Sequence, residues 1–200
     1  MYVRDAKNRE EVWLLDQIER LELDETAFRS RDYVVALDES SGEKAGFGRI
    51  RVHKADDDDV CELTSIGVLE RWRGQGVGAH VIERLIDHAG DQEFETVYAL
   101  VGVPNYLVQF GFEPIEREAL PDVLERRLET KRETIEPDAI PMALDVESFE
   151  MPDRLRQAFK EASPVATERE AENEEIDPAE DFGIDPETAT YKYDTGGDRR

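Results

Sequence analysis

A single cysteine, Cys61, in 200 residues excludes an intramolecular disulfide and any multi-cysteine metal site. Lysine is scarce too: 6 Lys and 19 Arg make up the 25 cations, against 49 Asp and Glu, for a formal net charge of -24. A chain this acidic has no electrostatic basis for binding nucleic acid or anionic lipid. No apolar run approaches the roughly 18 residues of a membrane span, and charges such as Arg4, Asp5 and Lys7 run through the first thirty residues. The expectation is a soluble, cytoplasmic protein with one core. An acid-rich, lysine-poor surface suits a very salty, halophilic cytoplasm, where counterions screen self-repulsion.

Hydrophobic periodicity supplies the elements. Tyr2 to Arg4 reads as a strand, and Val12, Leu15 and Ile18 set a helix from about Glu10 to Leu21. Tyr33–Leu37 and Gly46–Val52 read as strands closed around Ser40-Ser41-Gly42, and Val60–Val68 as a further strand. Between them Asp56–Asp59 lacks the alternating spacing and glycine of a calcium loop, so it reads as a solvated link. Val77, Val81, Ile82, Leu85 and Ile86 mark a helix from Gly76 to about Ala89. Strand Thr96–Val101, a short helix from Pro104 to Gln109 and strand Phe112–Ile115 follow. A charged helix from Leu120-Pro121 to about Arg132, strand Pro141–Val146 and a helix from Pro152 to Ala162 complete the pattern. Strands interleaved with helices argue α/β or α+β architecture. Residues 1–163 form the folded domain on this reading, and 164–200, acidic and short of large apolar side chains, form a disordered tail.

Chemistry concentrates in the stretch that runs from Cys61-Glu62 through Ile66-Gly67-Val68 to Arg73-Gly74-Gln75-Gly76-Val77-Gly78, a strand leading through a glycine loop into a helix. Alternating glycines leave amide N–H groups unshielded, and with a helix N-terminus behind them those donors suit phosphate oxygens, with Arg73 adding a positive charge. A Walker A loop would need Gly-Lys-Ser/Thr where Gly78-Ala79-His80 stand. The dinucleotide fingerprint is formally met by Gly74-x-Gly76-x-x-Ala79 but belongs on a first βα turn, and several strands precede this one. A turn that merely packs is the plain alternative. Gly67, among large residues, suggests a bulge or a close backbone approach.

Arg73-Gly-Gln-Gly-Val-Gly78 after a strand ending Ile66-Gly-Val68 resembles the acetyl-coenzyme A pyrophosphate loop of the GNAT N-acetyltransferase superfamily. The order of elements agrees over residues 1 to about 117. The resemblance implies a mixed, mostly antiparallel central sheet with helices on both faces and a splayed parallel strand pair. It implies that Ile66, Gly67 and Val68 contact the pantetheine arm and that Arg73, Gly74, Gln75, Gly76, Val77 and Gly78 hold the pyrophosphate. Acetyl-CoA is the implied cosubstrate, with no metal. Transfer to an amine needs a base, since an alkylammonium titrates near 10.4. Glu62, six residues before Val68, stands where several GNAT enzymes carry that glutamate. Many relatives place a thiolate-protonating tyrosine four residues before the glycine of Gly111-Phe112; here Leu107 holds that position and Tyr106 precedes it.

Cys61 falls on the face opposite Glu62 and reads as a core thiol. His80 follows the loop closely enough to touch a phosphate, and Arg49 and Arg51 share a strand face that suits either a substrate carboxylate or solvent. Gly111-Phe112 followed by Leu120-Pro121 and a helix is similar to the end of amino-acid N-acetyltransferases of the glutamate-acetylating type. The implied function is direct acetyl transfer from acetyl-CoA to a small-molecule amine, an amino acid among the candidates, in a monomer or homodimer. The alternative is a silent acyl-CoA-binding module that acts as a sensor.

Overall fold

The computed structural model describes residues 1–55 and 58–165. Seven strands form one sheet: β1 (Tyr2–Asp5), β2 (Tyr33–Leu37), β3 (Lys44–His53), β4 (Val60–Val68), β5 (Thr96–Val101), β6 (Glu113–Pro114) and β7 (Ile140–Asp145). Their spatial order is β1-β2-β3-β4-β5-β7-β6. Every neighbouring pair is antiparallel except β4–β5, which is parallel. This is the expected mixed sheet. The insertion of β7 between β5 and β6 has no local signal in the sequence, because it depends on which edge a late strand reaches.

Helices α1 (Glu11–Arg20), α2 (Val77–Asp91), α3 (Asn105–Val108), α4 (Asp122–Thr134) and α5 (Asp153–Glu161) complete the fold. On one face the α2 stripe of Val81, Ile82, Leu85 and Ile86 is buried in a cluster with Ile50, Cys61, Leu63, Val97 and Ala99. On the other, α1 buries Leu14 and Ile18 with Tyr33, Val35 and Phe47, while Leu124 and Leu128 of α4 pack with Val60 and Leu100. Alternation along each strand feeds both layers, so the sheet is covered on two sides. Pro121 and Pro152 stand immediately before α4 and α5, where a missing N–H costs nothing.

Two local features shape the centre. The β4–β5 ladder runs only through Cys61↔Val97, Glu62↔Tyr98 and Leu63↔Ala99, while β4 itself continues to Val68. The strands therefore part after Leu63. The β3–β4 register also slips, from Arg49↔Thr64 to Phe47↔Gly67, so Gly48 opposes both Ser65 and Ile66, and Ser65 has φ +51°. The irregularity thus falls just before Gly67. Gly67 meets the other expectation for a strand glycine: an added β-carbon would stand 2.7 Å from the Phe47 ring and from Leu21 Cδ1.

Among the described residues no helix is long and apolar enough to cross a membrane. Asp56, Asp57 and residues 166–200, including nearly all of the expected tail, lie outside the described residues.

Candidate active site

Where β4 leaves β5, its main-chain groups turn into the gap. Leu69 N–H donates to Ala45 O on β3 (2.9 Å), so by strand alternation Gly67 also faces β3, and Ile66 and Val68 face away from it. Arg73 Nε donates to Val68 O at 3.2 Å, which holds the start of the glycine loop against this strand end. The first α-helical bond of α2 is His80 N–H to Gly76 O (3.2 Å), leaving the amides of Val77, Gly78 and Ala79 without helical acceptors. Together these features line a cavity of about 680 Å³ with Ile66, Val68, Arg73, Gly74, Gly76 and Gly78.

The three alternating glycines are required for different reasons. Gly74 (φ +73°) has open space around it, as a loop exposing its amides needs. Gly76 (φ +75°) faces protein: an added β-carbon would collide with the Leu155 carbonyl oxygen of α5 and lie 3.1 Å from Phe159 N. At Gly78 the obstacles are Tyr106 Oη at 3.1 Å and Val68 Cγ2 at 3.2 Å. The Gln75 side chain does not line the cavity. Its Nε2 donates to Arg71 O (3.1 Å) and its Oε1 accepts from Ser163 N (2.9 Å), so it ties the loop to the chain after α5. His80 does likewise, stacking on Phe159 with ring centroids 3.8 Å apart and its Nδ1 3.1 Å from Gly76 O.

A second cavity, also about 680 Å³, adjoins the first and shares Leu21, Leu23, Ile66, Val68, Gly78 and Tyr106 with it. Its charged lining is Glu22, Asp24, Lys131 and Glu136, and Thr64 and Ser65 also contribute. Lys131 Nζ sits 2.9 Å from Glu136 Oε2 and donates to Leu100 O. Tyr106 stands at the junction. The single turn of α3 sends Leu107 into the core and leaves Tyr106 partly exposed, edge-on to Phe110 at 5.4 Å. Burial raises the Tyr106 phenol above its ordinary value, opposed by the nearby Arg154 charge, so it stays a neutral O–H donor.

Glu62 is fully buried and lines neither cavity. Its Oε2 lies 2.7 Å from His53 Nε2 and 3.4 Å from Arg127 Nε, while Arg127 Nη2 also pairs with Asp24. Arg49 is equally buried; it donates to Thr26 O at 2.8 Å and Ala27 O at 3.3 Å and lies 3.9 Å from Asp24 Oδ2. Arg49 therefore holds the segment after α1 and is not available as a substrate clamp. Ser65 Oγ fixes the same segment by donating to Asp24 O at 2.7 Å. Glu62 Oε1 and Thr64 Oγ1 are buried with no hydrogen-bond partner among the described residues. Both project from the same strand face, two residues or about 7 Å apart. Cys61, on the opposite face, is fully buried, and burial and the Glu62 charge push its thiol up to about 12.

Sequence reasoning missed Asp24, Thr64 and Lys131 at the second cavity and Arg154 at the first. Each stands where a tertiary contact brings it, with no motif of its own.

Residues 2–112 match the Acetyltransferase (GNAT) family. That is more than half of the chain, and the protein belongs to this family, whose fold is that of an acetyl-CoA-dependent N-acetyltransferase. Solved structures agree on the fold. N-acetylglutamate synthase of Neisseria gonorrhoeae, complexed with coenzyme A and N-acetyl-glutamate, is similar at 13% identity with a TM-score of 0.60 over 72% of this chain. The chain spans 34% of that enzyme's length. Rv2747 from Mycobacterium tuberculosis, in complex with CoA and NLQ, is similar at 17% identity and TM-score 0.61, covering 72% of this chain and 99% of that one. A GNAT-family acetyltransferase of Staphylococcus aureus gives 13% identity and TM-score 0.51, covering 72% and 98%.

Proposed function

We propose that the protein transfers an acetyl group from acetyl-CoA to a small primary amine by direct attack within a ternary complex, with an amino acid as the acceptor class. The supporting observation is the meeting of two cavities at Ile66, Val68, Gly78 and Tyr106, one edged by the glycine loop and one by acidic side chains. Acetyl-CoA supplies the activated thioester. The loop and the amides at the α2 N-terminus offer phosphate donors, and Gly74 leaves their approach open. The N–H groups of Ile66 and Val68, turned into the gap, are the donors for a thioester carbonyl.

In the acidic cavity Glu22 carries a charge that no cation balances among the described residues and attracts a cationic acceptor, while Asp24 is held by Arg127 and Arg49, and Lys131, paired with Glu136, is the cation nearest an acceptor carboxylate. An ammonium must shed a proton before it attacks. The unpartnered Thr64 hydroxyl and Glu62 Oε1 define a path for that proton along one strand face, relayed by bridging water. Glu62 acts as base through this path, and Tyr106 protonates the departing thiolate. The amino-acid class also draws on the likeness to the Neisseria enzyme, whose complex contains N-acetyl-glutamate. The surplus of 24 acidic over basic residues supports a concentrated-salt setting for this reaction.

The test is coenzyme A release in high salt, with acetyl-CoA and a panel of amino acids, polyamines and peptides. Turnover on amino acids supports the proposal. Acetyl-CoA binding without turnover on any acceptor favours the silent sensor module, a reading consistent with the complete burial of Glu62.

A further inference from the structure

Of the 15 residues that line the glycine-loop cavity, two are arginines, Arg73 and Arg154, and none is acidic. On a chain with 49 acidic residues this exclusion of carboxylates points to an anionic ligand. Arg154 comes from α5, well beyond the family match that ends at residue 112. Among the described residues it pairs with no carboxylate; it donates to the neutral amide oxygen of Gln109, and Gln109 Nε2 in turn donates to Tyr106 O at 2.7 Å. Its charge is thus held at the cavity wall without being neutralised.

The position of α5 is fixed against the loop itself. The Leu155 carbonyl covers Gly76, Phe159 stacks on His80, Arg156 Nη2 reaches Glu83 Oε1 at 2.6 Å, and Ser163 N–H donates to Gln75. Leu155 and Phe159 are buried in the main core cluster, so the helix is part of the fold.

We propose that α5 is the outer wall of the phosphate site and that Arg154 binds the coenzyme A diphosphate from the side opposite the loop amides, as a second cation beside Arg73. The proposal rests on the acetyl-CoA reading of the loop. It adds a ligand-binding residue that the glycine motif does not contain, and it makes affinity depend on a diphosphate rather than on the pantetheine arm alone.

Titration calorimetry on the full chain, with coenzyme A, dephospho-coenzyme A and pantetheine at two KCl concentrations, tests this. Arg154→Gln should weaken coenzyme A binding by about 10-fold, as loss of one charge-assisted contact does, and dephospho-coenzyme A binding equally. Pantetheine binding should not change. Arg154→Glu should lose more, Arg154→Lys should retain most of the affinity, and the salt dependence of the Arg154→Gln complex should be shallower. Arg156→Gln, which loosens an α5 contact but lines neither of the two cavities, should bind as wild type. Binding by Arg154→Gln within twofold of wild type overturns the proposal, as does a loss that vanishes with dephospho-coenzyme A. Absence of wild-type binding to coenzyme A would sink the acetyl-CoA reading itself, a result distinct from wild-type binding that is indifferent to Arg154.

Discussion

The glycine loop and the Glu62 cluster lie at opposite ends of one strand and are built by opposite means. The loop assembles its donors from consecutive residues, Arg73 to Gly78, using backbone amides and a helix end. The cluster gathers Asp24, Arg49, His53, Glu62 and Arg127 from the segment after α1, from β3, from β4 and from α4, all at most 9% exposed. Backbone donors bring no desolvated charge when the site is empty, whereas buried ions stabilise the fold only while every partner is present. Substitution at the open loop position, Gly74, should therefore spare the fold and weaken binding. The cluster should show the reverse.

The sharpest way to break the comparison is Arg127→Ala. Removing this guanidinium leaves Asp24 and Glu62 buried without their shared cation, at a cost of about 3–5 kcal/mol. Thermal unfolding at fixed salt should show a large fall in Tm, and α4 should lose hydrogen-exchange protection first. A variant as stable as wild type would mean that the cluster is not an interdependent unit.

Glu62→Gln keeps the shape and removes the charge. If Glu62 is the base, turnover near neutral pH falls by roughly 10²-fold or more while coenzyme A affinity stays as it is. Unchanged turnover from pH 6 to 9 would reduce Glu62 to a structural member of the cluster, with the fall confined to Tm.

A third ionic site calibrates both. Glu10 is held well below the usual carboxyl range, at about 2, first by the two-point contact with Arg4 (both 2.8 Å) and further by the Lys7 N–H, with burial opposing. A folded-state value below the unfolded one, near 4.5, gives stability that is present above about pH 4.5 and lost as pH falls toward 2. Glu10→Gln should cost about 2 kcal/mol at neutral pH and flatten the acid limb of the stability profile. Urea titrations at pH 6 and pH 3 measure both; equal acid sensitivity in the variant and wild type would remove Glu10 from it.

The same contrast explains what the sequence disclosed. The strand, glycine loop and α2 are legible because their signals are contiguous: periodicity, alternating glycine and a helix start. The parting of β4 from β5 follows from family likeness, and Gly67 marks the bulge only to within two residues, because its packing demand looks identical in sequence. Arg49 was unreadable, since on an acid-rich chain a strand arginine looks solvated until Thr26 and Ala27 close over it. Arg154 is hidden for a related reason: α5 shows an amphipathic stripe, but what that stripe covers is set 79 residues earlier, at Gly76 and His80.

The smallest expected effect is the cleanest probe of the loop, and the structure decides where to place it. Gly76 is unsuitable, because any side chain there meets the α5 backbone and a binding defect could not be separated from a displaced helix. Gly74 has the same left-handed backbone but nothing within 4 Å of a built β-carbon. Asn and Asp tolerate that conformation better than other side chains, at a strain of about 1 kcal/mol. Gly74→Asn and Gly74→Asp are nearly isosteric, so strain and bulk cancel between them and the remaining difference is one negative charge beside Arg73 and the α2 N-terminus. Both variants should keep Tm within a few degrees of wild type. Coenzyme A should bind Gly74→Asp about 5- to 10-fold more weakly than Gly74→Asn, with the gap narrowing as KCl rises. Equal affinity of the two at low salt would show that no phosphate comes near this end of the loop.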